Sequence, residues 1–187
     1  MARLSDIDIE KLSPRQREIH DAIAAGPRGK VEGPLRVWLT SPELADRAQA
    51  LGAFARYHSS LPPRLSELAI IVIAAHWQAG FEWYVHAPIA RDAGIAADAI
   101  EAIRRRERPT FAEADEAVVH DFARELLDDR RVSDDTYRRA QSLLGDVGLV
   151  DLVGVLGYYA LISMTINAFE VPVPGGANPF ADRAGRP

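Results

Sequence analysis

The chain has 187 residues, 48% hydrophobic and 26% charged, with a formal net charge of −5. That balance suits one soluble globular domain with a buried core and argues against nucleic acid as a partner. No cysteine is present, so disulfides, thiolate metal sites and thiol redox cycles are excluded.

The opening Met1-Ala2-Arg3-Leu4-Ser5-Asp6 lacks the apolar run of a secretory signal, which leads us to expect a cytoplasmic protein. Ser13-Pro14-Arg15-Gln16 combines an N-cap, a proline at the first helical position and a capping-box glutamine, and predicts a helix ending near Gly26-Pro27. A loop through Arg28, Gly29, Lys30, Gly33 and Pro34 leads into a short apolar stretch at Leu35, Val37, Trp38 and Leu39. Ser41-Pro42-Glu43 repeats the start signal. Leu44, Ala48, Leu51 and Ala55 then recur at helical spacing until Leu61-Pro62-Pro63 ends the run.

From Arg64 to Ala79 almost every position is apolar, as expected of a helix in the middle of a bundle. Gly80 should break or bend it. Helix resumes from Phe81 to Ala93, with a kink or restart at Pro88 and Gly94 as the cap. Ala97 to Arg106 reads as a short helix, and Arg104, Arg105, Arg106 and Arg108, interrupted by Glu101 and Glu107, as its solvated end. Thr110-Phe111-Ala112-Glu113 has the form of a capping box opening an amphipathic helix along Val118, Phe122 and Leu126.

Asp134 to Leu144 is a shorter amphipathic segment, followed by an apolar helix from Val147 to Phe169. Its length raises the question of a membrane span. Three glycines, Asp151 and Asn167 interrupt it without a basic flank, so a buried core or subunit-interface helix is expected and a membrane partner is not. Pro172, Pro174, Gly175 and Gly176 cannot continue a helix. The expected organisation is an N-terminal helical extension (1–32), an all-α domain (33–170) and an extended C-terminal arm (171–187), disordered or laid across a neighbouring subunit.

The richest polar cluster surrounds Gly80: Glu67, His76, Glu82, Trp83, Tyr84 and His86. Glu82 and His86 stand at i and i+4, on one face of a helix. Glu67 lies in the most apolar helix, where a carboxylate needs a partner, and an imidazole is the natural one. Two carboxyls and an imidazole in an apolar bundle make a candidate proton-transfer device, because their mutual perturbation brings pKa values toward neutrality. No ligand spacing points to a metal. His20, His58 and His120 are solitary and read as exposed or capping residues.

Three segments carry a family resemblance. They are Leu61-Pro-Pro-Arg-Leu-Ser-Glu-Leu-Ala-Ile-Ile-Val, His76-Trp-Gln-Ala-Gly-Phe-Glu-Trp-Tyr-Val-His-Ala-Pro-Ile-Ala and Gly157-Tyr-Tyr-Ala-Leu-Ile-Ser-Met-Thr-Ile-Asn-Ala-Phe. Together they resemble the carboxymuconolactone decarboxylase family, whose helical fold is shared with the AhpD alkylhydroperoxidases, and the likeness runs from about Gly33 to Pro174. The resemblance implies an AhpD-like bundle, a homo-oligomer (a trimer or a hexamer) and chemistry without cofactor or metal. The peroxidase branch carries a glutamate at the place of Glu67, cysteines at the places of Ala79 and Glu82, and a histidine at the place of His86. Without thiols, peroxide reduction of that type is ruled out.

What the resemblance implies is a decarboxylase-like lyase acting on a carboxylated unsaturated lactone or related small acid. His86 would stabilise an oxyanion or deliver a proton, Glu82 would serve as general acid or base, and Glu67 would orient His86. Trp83, Tyr84, His76 and Arg64 are the candidate substrate contacts, with Arg56 a further carboxylate receiver. The alternatives are another proton-transfer enzyme, an isomerase or hydratase, and a non-catalytic oligomeric binding protein.

Overall fold

The computed structural model describes residues 3–183. Among the described residues eight α-helices form an all-α bundle, and no strand occurs. The first helix, α1 (Pro14–Ala25), begins with the expected box: Ser13 accepts from the Gln16 amide while the Gln16 side chain accepts from the Ser13 amide. After a short α2 (Pro34–Trp38), α3 (Pro42–Ala53) runs into one π-type turn, Phe54–His58, that carries Arg56.

Helix α4 (Pro63–Trp77) is the axis of the molecule. Leu65 to Ala75 are buried without interruption, because α5, α6, α7 and α8 pack around it and leave no polar face. The break that follows is not made by Gly80. Gln78 takes the left-handed conformation (φ 51°), and Ala79 then caps α5 (Gly80–Asp92), which passes through Pro88 without interruption. Gly80 is small for a different reason: a Cβ there would stand 2.9 Å from Val173 Cγ2, where the C-terminal segment crosses it.

Beyond α6 (Ala97–Arg104), the arginine run is engaged in ion pairs. Arg104 meets Glu101 and Asp182, Arg105 meets Glu101, Arg106 meets Asp128, and Arg108 meets Asp121. The capping box expected at Thr110–Glu113 does not form. Helix α7 (Ala114–Asp128) starts at Ala114 with no side-chain cap, since Phe111 instead tilts against the His120 ring, 5.3 Å between centroids. His120 is accordingly buried, not exposed or capping as its isolation in sequence suggested.

Helix α8 (Asp134–Phe169) is two helices joined at Gly145, whose φ of 66° and ψ of 178° interrupt the backbone. It is long and apolar enough to cross a membrane by length and composition, yet half of that apolar window is buried within this domain. The C-terminal segment does not leave the molecule. Phe180 packs edge-on against Trp83, Arg183 donates to the carbonyls of Ala75 and Arg104, and Arg104 holds Asp182. Pro172 and Pro174 forbid helix but not compaction, and Phe180 supplies an apolar anchor. The end of the expected arm, 184–187, lies outside the described residues.

Candidate active site

Glu67 projects from α4 and His86 from α5, and the two meet in the interior: His86 Nδ1 is 2.7 Å from Glu67 Oε2, with both side chains about 6% exposed. A carboxylate oxygen only accepts, so Nδ1 carries the hydrogen and Nε2 is the remaining acceptor of the neutral ring. Burial lowers the His86 pKa, with Glu67 opposing and Arg56 and Arg28 adding to the fall. The ring is held by Tyr159, which meets it edge-on at 5.0 Å.

One turn before His86 on the same face, Glu82 is 2% exposed. Its Oε2 accepts from Ser163 Oγ of α8 at 2.7 Å, and its Oε1 has no partner among the described residues. Desolvation drives its pKa well above the ordinary carboxylate range, and the serine only partly opposes this. A carboxyl in that state is a neutral acid with a proton to give.

Glu82 and His86 line one cavity of about 80 Å³ together with Tyr158, Tyr159, Phe81, Ile162 and the cations Arg28, Lys30 and Arg56. Lys30 is paired with Glu32, whereas Arg28 reaches only the Tyr158 hydroxyl, at 3.3 Å, and its buried Nε has no partner. Accepting from Arg28 leaves the Tyr158 O–H free to donate, and burial raises its pKa, so it remains a phenol. The site therefore offers two cations for an acidic ligand, one neutral acid, one neutral imidazole and a phenol donor.

Glu67, Glu82 and His86 are thus brought together, with Glu67 behind the cavity and the other two in its wall. The four candidate substrate contacts fall elsewhere. Arg64 is held by Asp115 and Glu116 of α7. His76 points to α7, 3.3 Å from Asp128 without hydrogen-bond geometry. Trp83 packs on Phe180, and Tyr84 is half exposed in an outer groove. A larger open depression of about 560 Å³ by α7 holds arginines already paired with Asp121 and Asp128. Among the described residues no cluster of three or more acidic or imidazole groups is arranged to hold a metal.

Sequence reading missed Arg28, Tyr158, Tyr159 and Ser163. The first lies in a loop with no periodicity. The other three had a signal, polar groups in a helix otherwise apolar enough to be buried.

The profile of the carboxymuconolactone decarboxylase family matches residues 42–124, from the start of α3 into α7. Among solved structures, an uncharacterized peroxidase-related protein from Silicibacter sp. TM1040 superposes with a TM-score of 0.73 at 15% identity. The superposition covers 91% of this chain and 90% of that one, and at this identity it speaks to the fold alone. No curated protein matches the chain.

Glu82 has a consequence for stability. Its pKa is raised in the folded state, so above the unfolded value near 4.5 the unfolded chain binds fewer protons than the folded one, and stability falls as pH rises. Glu82→Gln removes this term. Thermal melts should coincide near pH 4.5, and the variant should gain on wild type toward pH 8 by up to about 1.4 kcal/mol per pH unit. Parallel curves would show Glu82 to be ionised in the fold.

Proposed function

We propose that the chain is a decarboxylase-like lyase acting on a carboxylated unsaturated lactone or a related small acid by acid–base catalysis. The observation that carries this reading is a buried Glu82, its pKa raised by desolvation, sharing one cavity with the Glu67-oriented His86 and with Arg28 and Arg56. The arginines would hold a substrate carboxylate. When the departing carboxylate leaves as carbon dioxide, the electron pair of the broken carbon–carbon bond moves through the conjugated double bond to the lactone carbonyl. Tyr158 O–H faces that developing oxyanion.

Glu82 then passes its proton to carbon and regains one from water, with the neutral His86 Nε2 as the base that draws it in. In this reading His86 donates Nδ1–H to Glu67 and acts through Nε2 in proton delivery, so the oxyanion falls to Tyr158. The substrate supplies its own electron sink through the conjugated carbonyl. We extend the proposal to a homo-oligomer, trimer or hexamer. Val147, Val150 and Val153 stand 68%, 72% and 48% exposed along α8, an apolar stripe suited to a second copy.

Screening carboxylated unsaturated lactones for released carbon dioxide tests the reaction. Glu82→Gln and His86→Ala should each lower kcat by roughly 10²–10⁴-fold with helical content and oligomer retained. The wild-type rate should be bell-shaped in pH. Its acid limb, below 6.5, is the protonation of His86, and its alkaline limb is the ionisation of Glu82. Wild-type rates in both variants remove these residues from the mechanism, and a solution mass of one chain removes the oligomer.

A further inference from the structure

The catalytic cavity is small. Its volume of about 80 Å³ is far below the roughly 300–1,000 Å³ of ordinary small-molecule sites. Directly beyond one of its walls lies a second cavity of about 240 Å³. The wall is the ring of Phe81, which lines both spaces. Opening one into the other brings the total into the range of a ligand site.

Phe81 is seated against Gly33, where the backbone φ is 57° and an added Cβ would run into Cε1 and Cζ of the ring. The chain thus keeps this position bare on the second cavity's side, giving the ring its place between the two spaces. The second cavity is lined by Ile7, Val37, Phe169 and Val171 besides Phe81. Its charged pair is self-contained: the Arg36 guanidinium spans both oxygens of Asp6 at 2.7 Å and also donates to the Ile7 carbonyl. No charge is left to call for a polar ligand.

The terminal segments close this space. Arg3 donates its amide to the Phe169 carbonyl and pairs with Glu170, which ties the start of the chain to the end of α8. The segment before α1 and the segment after α8 therefore form a roof over a cavity that adjoins the acid–base groups.

We propose that the cavity behind Phe81 receives the apolar end of the substrate, so that the site takes small acids bearing a hydrocarbon extension. The carboxylate stays at Arg28 and Arg56, the extension passes Phe81 by displacement of its ring, and Phe81 is the residue that sets how far it reaches. This inference rests on the reading of the first cavity as an acid-binding site.

Straight-chain saturated monocarboxylates from two to ten carbons, titrated calorimetrically into the full chain, test both statements separately. Wild-type affinity should rise roughly fourfold per methylene once the chain passes the ring, until the second cavity is filled, at one acid per chain. Val37→Trp and Ile7→Trp place an indole in the second cavity. Each should remove the dependence on length while binding the shortest acids as wild type does; thermal melts identify a variant that has lost its fold, and the other variant then decides. Affinity independent of length, or tightening unchanged in both variants, overturns the second cavity's role and leaves the acid site standing. Failure of every acid to bind overturns both.

Discussion

Glu82 is a carboxyl enclosed in the bundle with one hydroxyl for company. Ser163 satisfies Oε2, nothing among the described residues satisfies Oε1, and desolvation holds the group in its neutral form. Removing a charge from water in an apolar interior costs several kcal/mol, and the group avoids that cost by keeping its proton. Everything chemical in the site follows from this. A neutral acid sharing a cavity with a neutral imidazole can move a proton, whereas an ionised carboxylate in the same place would have no proton to give.

Helical phase explains much of what was legible in advance. Glu82 and His86 are four residues apart, about 40° around the helix, so their spacing alone put them on one face. Trp83 and Tyr84 lie about 100° and 200° from Glu82 and are carried to other surfaces, one against Phe180 and one into solvent. His76 is nine residues from Glu67, about half a turn out of phase, which sends it to α7 when Glu67 turns toward α5. Periodicity also identified α4 as the buried axis and the two halves of α8, since an uninterrupted apolar run and a polar turn are local signals. Arg28 and Tyr158 meet across 130 residues of sequence, and no local pattern announces a contact of that kind. The C-terminal segment reads from composition as an extended arm; Phe180 and Arg183 show that two well-placed side chains are enough to hold such a segment on its own domain.

The superposed structure speaks to the scaffold, and what the cavity can do is set by the side chains this chain places in it. With no cysteine in the sequence, the site depends on protonation states. Those states are set by packing: α4 and α8 exclude water, Tyr159 holds the imidazole edge-on, and Glu67 fixes which ring nitrogen carries hydrogen. The polar groups are few, and each is placed by an apolar neighbour.

Infrared difference spectroscopy of the carboxyl C=O stretch, comparing wild type with Glu82→Gln across pH, observes the key group directly. The account requires a protonated-carboxyl band that persists at pH 7 in the wild-type protein and is missing from the variant. A wild-type spectrum in which that band has already given way to carboxylate by pH 5 would contradict it.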